Sequence, residues 1–301
     1  MQIKSQAASM GFEACGFAAA APVDEQEVAR YDRWIELGHH GCMAWATGHR
    51  ELRSNPSLLL EGAQTVISLA LNYYPTRFQP PEAMRVAFYA YGRDYHEVMR
   101  EKLTQLATYI QEITHCETRP CVDSAPIRER YWAQQAGIGF IGRNNCLIIP
   151  GKGSYFFLGE IVTTAKLPPD EPCTLTCGDC GKCVKACPTG ALTQEGAVDC
   201  NRCLSCLLIE NHAEQLPEWV GDVVNQRVVG CDECQLCCPH NAHAVATTIE
   251  DFAPTDAVME LTKERIAQMT GGDFKRTFAH SAISRLRHKT LLRNADLSDK
   301  H

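Results

Sequence analysis

Eight cysteines stand at spacings that suit metal–thiolate chemistry. Cys177, Cys180, Cys183 and Cys187 precede Pro188, and Cys231, Cys234 and Cys238 precede Pro239, with one further partner between the two sets. The first set reads C-x2-C-x2-C-x3-C-P, the run that serves two 4Fe-4S cubes. Three thiolates from one short loop cap three irons, and the cysteine before proline reaches the other cube. On that logic Cys177, Cys180 and Cys183 bind one cluster with Cys238, while Cys187 crosses to the second with Cys231, Cys234 and one more. Spacing leaves the last ligand open, because Cys200, Cys203 and Cys206 form their own C-x2-C-x2-C run and Cys237 adjoins Cys238. Four-thiolate zinc also uses C-x2-C, but zinc ribbons do not usually need the x3-C-P step. A disulfide framework suits small secreted domains rather than a chain of 301 residues.

Positioning these groups requires three regions. Residues 1–167 alternate apolar runs that read as strands (65–71, 146–149 and 155–162) with helical stretches, giving an α/β (α+β) domain. One helix is signalled by Asp94 and Glu97 at capping-box spacing, followed by Met99, Leu103, Leu106, Ile110 and Ile113 at intervals of four and three. A second helix is expected from Pro126 to Gly137 or Gly139. His96, early in the first helix, begins like the D-x-H-x-x-G loop of cobalt-ligating histidines, but Met99 replaces the glycine, so a satisfied or exposed histidine is expected instead. After the proline-rich linker at 167–172, residues 168–245 form a two-cluster ferredoxin-like module, inserted in or appended to the first domain. Residues 246–301 read as a short helical segment.

No apolar run approaches the length of a membrane span, no secretory pattern precedes the fold, and a cytoplasmic protein is expected. Net charge is −7, yet KRTFAHSAISRLRHKTLLR carries Lys275, Arg276, Arg285, Arg287, Lys289 and Arg293 without an acid. Such a segment is either a solvated helix face or a phosphate-contacting surface. No G-x-G-x-x-G follows an expected strand and no Walker loop is present; Gly137, Gly139 and Gly142 lie around a helix end and read as plain turns.

The segments GFEACGFA, WIELGHHGCMAW, NPSLLLEGAQTVISLALNYYP, YAYGRDYH, VDSAPIRERYWAQQAGIGFIGRNN, GSYFFLGEI, CGDCGKCVKACPTGAL, NRCLSCLLIE, GCDECQLCCPHN and SAISRLRHKTLLRNA occur in one order over nearly the whole chain. In this the sequence resembles the epoxyqueuosine reductases, cobalamin-dependent iron–sulfur enzymes that act on tRNA. Arg143 stands where a lysine is more usual, which keeps the charge and changes donor geometry. The resemblance implies a corrinoid domain related to that of reductive dehalogenases, base-off cobalamin, and Cys203 as the eighth cluster ligand. It also implies Asp123 of VDSAPIRER as catalytic acid beside the corrin, with Arg53, Leu147 and Leu158 as further corrin contacts.

The implied reaction opens an epoxide and expels its oxygen as water, which takes two electrons and two protons. Asp123 suits the proton if burial raises its pKa toward neutral; the plain alternative is a helix cap before Pro126. The implied partners are tRNA carrying epoxyqueuosine, held at the basic segment with Arg128 and Arg130 as further candidates, and an external low-potential electron donor; a monomer is expected. A reductase of small organohalides and a noncatalytic ferredoxin-type carrier are the competing functions.

Overall fold

The computed structural model describes residues 2–193 and 196–297. Among the described residues eight strands form in chain order: β1 (Ala14–Ala19), β2 (Thr65–Asn72), β3 (Arg85–Val86), β4 (Thr118–Cys121), β5 (Phe140–Ile141), β6 (Leu147–Ile148), β7 (Phe156–Thr163) and β8 (Arg227–Val229). The main sheet has the order β1-β2-β7-β4, and every pairing in it is antiparallel. Of the two expected classes the arrangement is therefore α+β. β2 is buried at all eight positions because both its faces are covered.

The first helices are α1 (Gln2–Ser9), α2 (Glu25–Glu36), α3 (Arg50–Ser54), α4 (Tyr95–Thr114) and α5 (Glu129–Gln135). Side chains alternate across a strand, and the two helices that matter most take opposite faces. Ile67, Leu69 and Leu71 of β2 pack with Met99, Leu103, Leu106 and Ile110 of α4. Val66 and Ala70 pack with Trp132, Ala133 and Ala136 on the α5 side. The apolar stripe of α4 is thus core except at Ile113, which is 40% exposed in the last turn. α5 starts at Glu129 rather than Pro126, since residues 122–127 are occupied by tight turns (Ala125 N–H to Val122 O, Ile127 N–H to Ala125 O). Its end agrees with expectation: Gly137 follows it at φ 73°.

The cysteine-rich stretch holds α6 (Lys182–Ala186), α7 (Leu204–Ile209), α8 (Trp219–Val224) and α9 (Glu233–Leu236). Beyond it come α10 (Asp256–Met259), α11 (Lys263–Gln268), α12 (Gly271–Thr277) and α13 (His288–Asp296). These last helices are not a loose appendage. Phe274, Phe278, Ile283, Leu286 and Leu291 share one core with Met84, Val86, Ala90, Tyr91, Val228 and Val229, where β3 and β8 pair in parallel. Among the described residues no helix is long and apolar enough to cross a membrane.

Candidate active site and cluster ligands

The cysteines gather in three groups. Cys177, Cys180, Cys183 and Cys238 line one cavity, closed by Arg143, Asn144 and His240. Burial pushes the Cys238 thiol up, and Cys177, Cys183 and Cys180 add to the shift. In the second group Cys203, at the N-cap of α7, lies near Cys187 and Cys206, and Cys234 lies near Cys231 and Cys203. Cys187 behaves differently: burial raises its pKa, but the Thr189 hydroxyl and the N–H groups of Thr189, Ala191 and Leu192 lower it overall, a donor cradle that favours thiolate. The third group is Cys206 bonded to Cys200 and Cys42. Cys237 points back to the Cys234 carbonyl at 3.7 Å.

Among the described residues no three His, Cys, Asp or Glu side chains are close enough to hold a single metal ion. Single-ion zinc needs sulfurs converging at about 2.3 Å from one point, whereas a cube distributes its thiolates over separate irons. The donor chemistry of the first two groups fits two clusters.

Asp123 leaves β4 into the turn before α5 with φ 42°, in the left-handed region. Its N–H donates to Glu129 Oε1 at 2.6 Å, which fixes that conformation. Arg128, not Asp123, occupies the N-cap position of α5. The Asp123 carboxylate reaches across to α4, where His96 Nε2 lies 2.6 Å from Oδ2. His96 Nδ1 lies 2.6 Å from Asp94 Oδ1, and Asp94 Oδ2 accepts from Arg285 Nε at 3.2 Å. Asp94 is also the N-cap of α4, taking the His96 N–H at 3.0 Å.

A neutral imidazole donates from one nitrogen only. Carboxylates at both ring nitrogens favour the imidazolium form of His96. Burial alone would lower its pKa, but the bonds to Asp123 and Asp94 raise it overall. Burial would raise Asp94, yet His96 and Arg285 bring it down to about 2. Asp123 corrects the sequence expectation in the same way: burial acts upward, but His96, Tyr95 and Arg285 hold it below the usual carboxylate range. With both nitrogens engaged, His96 offers no lone pair to cobalt.

Behind Asp123 stand two further carboxyls. Burial pushes Glu129 up to about 7, against the opposing bond from the Asp123 N–H. Glu160 of β7 is 0% exposed, and burial raises it well above its ordinary value. Ser68 Oγ donates to Glu160 Oε1 at 3.4 Å, and Oε2 has no partner. Burial thus favours the neutral form of Glu160.

The other expected corrin contacts lie on the α5 side of the sheet. Leu147 is 4% exposed within the core, and Leu158 is half-buried against it. Arg53 of α3 donates to the Gly48 carbonyl at 3.3 Å and lies over the Trp45 ring at 5.7 Å. Tyr91 and Trp132 are core residues. Tyr95 stacks on Phe157 at 4.3 Å.

The basic segment divides by role. Lys275, Arg287 and Lys289 are exposed. Arg276 pairs with Asp273, Arg285 pairs with Asp94, and Arg293 donates to the carbonyls of Asn211 (2.8 Å) and Ala213 (2.6 Å). Arg128 turns inward to the Glu27 carbonyl and the Tyr31 ring, and Arg130 bonds to the Asn145 carbonyl.

Sequence reasoning missed the role of His96, whose only signal was the Asp94-Tyr95-His96 opening of α4. It also missed the residues that hold Cys234. The Cys146 thiol bonds to Cys234, which lowers its pKa against burial, and Asn144 Nδ2 donates to the Cys234 carbonyl at 3.2 Å.

Residues 53–124 match the family described as epoxyqueuosine reductase QueG, DUF1730, and residues 176–241 match the 4Fe-4S double cluster binding domain. The chain is 40% identical to the epoxyqueuosine reductase of Gloeobacter violaceus, over 98% of this chain and 93% of that protein. It is 38% identical to the Vibrio cholerae epoxyqueuosine reductase, over 97% and 80%. Among solved structures, an epoxyqueuosine reductase in complex with an epoxyqueuosine-modified tRNA-Tyr stem loop aligns with TM-score 0.89 and 30% identity, over 99% of this chain and 80% of that one. The Bacillus subtilis enzyme, with its aspartate catalytic loop swung out of the active site, aligns at TM-score 0.87 and 29% identity, over 99% and 80%. The chain belongs to the epoxyqueuosine reductase family.

Proposed function

We propose that the protein reduces epoxyqueuosine to queuosine at the wobble position of tRNA, with Asp123 as proton donor, cobalamin at the site beside it and two 4Fe-4S clusters feeding that site. The observation that carries the reading is the 2.6 Å contact of His96 Nε2 with the Asp123 carboxylate, in the same chain as two gathered sets of four cysteines. Cys177, Cys180, Cys183 and Cys238 would hold one cluster; Cys187, Cys203, Cys231 and Cys234 would hold the other. Leu158, Arg53 and Asp123 would border the corrin, with Leu147 packing behind them. Bound cobalamin would supply the two electrons that the epoxide needs, drawn through the clusters from an external low-potential donor.

The chain's own task is then protonic. The oxygen that leaves carbon carries developing negative charge, and a carboxyl within hydrogen-bond reach neutralises it by giving up a proton. Asp123 sits on a turn between elements, the kind of placement that permits movement, and the relative whose aspartate loop swings out supports such mobility. The substrate base lies in a single-stranded loop, so recognition combines phosphate contacts with a base turned into a pocket. Lys275, Arg287 and Lys289 are exposed candidates for those contacts. Arg276, Arg285 and Arg293 complete the basic surface while bonded to neighbouring groups. A cytoplasmic monomer fits this role.

The test is Asp123→Asn protein shown to retain iron and corrinoid, incubated anaerobically with epoxyqueuosine-containing tRNA and a strong reductant. Nucleoside mass spectrometry is expected to show queuosine with the parent protein and none with the variant. Full conversion by the variant would remove Asp123 from the role of donor.

A further inference from the structure

His96 is 4% exposed, clasped at both ring nitrogens by carboxylates at 2.6 Å, and joined through Asp123 to the open side of the site. We infer that His96 is the proton store of the reaction: it holds the proton that Asp123 hands to the leaving oxygen, and it acts through Asp123 without touching substrate. The inference rests on Asp123 being the donor proposed above.

The geometry dictates the route. Reduction of the epoxide consumes two electrons and two protons and yields an alkene and water. A carboxylate that rests ionised has no proton to give, so one must reach it from a neighbour. Among the described residues His96 Nε2 and the Tyr95 hydroxyl both bond to the Asp123 carboxylate, and burial raises the Tyr95 pKa well above its ordinary value, so His96 is the partner able to give up a proton. The proton passes from Nε2 to Oδ2, leaving neutral imidazole and a neutral carboxyl. A half-turn of that carboxyl about Cβ–Cγ then presents its O–H to the substrate oxygen. The second proton, needed to release water, comes from solvent.

Every charged or titratable group facing His96 bears on this store. From α4 and its cap come Asp94, which secures Nδ1, and Tyr95, whose ring lies 3.9 Å from the imidazole. The turn before α5 contributes Asp123, and α5 itself contributes Glu129, which feels the imidazolium. Arg285, from the turn before α13, keeps Asp94 ionised, and Tyr89 faces both aspartates. Placing a substrate over Asp123 removes water from its carboxylate, which favours the neutral acid and draws the proton off His96.

The experiment is the single-turnover rate as a function of pH for the parent, His96→Gln, Asp94→Asn and Asp123→Asn proteins, each matched for iron and corrinoid. The parent rate should fall at high pH as His96 loses its proton; a parent profile without that alkaline limb overturns the inference. His96→Gln should be slowed roughly 100-fold, the lower end of the span of a lost acid–base group, and should lose the limb. Asp94→Asn keeps the ring and removes one carboxylate, so the limb should move to lower pH. A His96→Gln profile of parental shape, or an unmoved limb in Asp94→Asn, would show a structural role only. Activity in Asp123→Asn would instead sink the donor assignment itself. A readout independent of turnover is isotope-edited infrared spectroscopy of the aspartate carboxylates. The Asp123 band, identified by its loss in Asp123→Asn, should titrate at higher pH in His96→Gln than in the parent; an unchanged titration refutes the pairing.

Discussion

Replacing Gly16 with alanine tests how the sheet holds the acid in place. Gly16 sits in β1 opposite Ser68 of β2, and a Cβ there would lie 2.0 Å from the carbonyl oxygen of Ala136, the residue that ends α5. That is roughly 1.4 Å inside an ordinary contact. Both partners are backbone, so no side-chain rotation relieves the clash; β1 or the end of α5 must move. Overpacking costs about 1–3 kcal/mol, and the absence of a soft neighbour puts this case near the upper end. At roughly 2–4 °C per kcal/mol for a chain somewhat smaller than this one, the midpoint should fall by roughly 5–10 °C. Turnover should fall as well, because α5 carries the Glu129 carboxylate that fixes Asp123. The assay is thermal unfolding of cluster-loaded protein beside Gly48→Ala, whose added Cβ would meet only the Trp45 carbonyl at 3.5 Å. A Gly16→Ala protein within about 0.5 kcal/mol of the parent, the range of ordinary surface changes, would refute the reasoning.

Cys203→Ser should lose about half of the bound iron while Cys206→Ser keeps it all, read by iron analysis; the reverse pattern would make Cys206 the eighth ligand. The His96 ion pairs should stabilise the fold fully below the ordinary histidine pKa of 6.5 and lose that contribution as pH rises through the raised value. The stability gap between parent and His96→Gln, measured by denaturant unfolding, should therefore shrink from pH 6 to pH 9; a constant gap would contradict the ion pairs. Binding of an anticodon stem loop should weaken with salt, and replacing both Arg287 and Lys289 should flatten the log–log slope by roughly 1.5. Arg293→Ala should leave that slope unchanged, since its guanidinium is engaged by carbonyls.

The double-cluster domain was legible because short-range cysteine spacing is itself the geometry of a cube's ligand loop. β2 was legible because eight consecutive positions had to be buried, and α4 because its stripe had to cover a sheet. Spacing could not choose among Cys200, Cys203 and Cys206, since it is tertiary packing that bonds Cys206 to Cys200 and Cys42. The ionisation of Asp123 escaped for the same reason: its partner lies 27 positions away, and that partner's second anchor leads to Arg285, 191 positions from Asp94. A local reading saw desolvation and missed the charge that overrides it. The basic C-terminal segment likewise read as surface, although its phenylalanines and leucines close a core with residues some two hundred positions earlier.

That shared core sets an order of events during synthesis. Met84, Val86, Ala90 and Tyr91 leave the ribosome long before Phe274, Phe278, Ile283 and Leu291, the side chains that cover them. At 5–20 residues per second the wait is roughly 10–40 s. Throughout it the nascent chain shows an uncovered apolar strip, and Arg285 has not yet arrived to secure Asp94. The whole double-cluster domain, residues 176–241, emerges within that interval, while the Asp94–His96–Asp123 network still lacks Arg285.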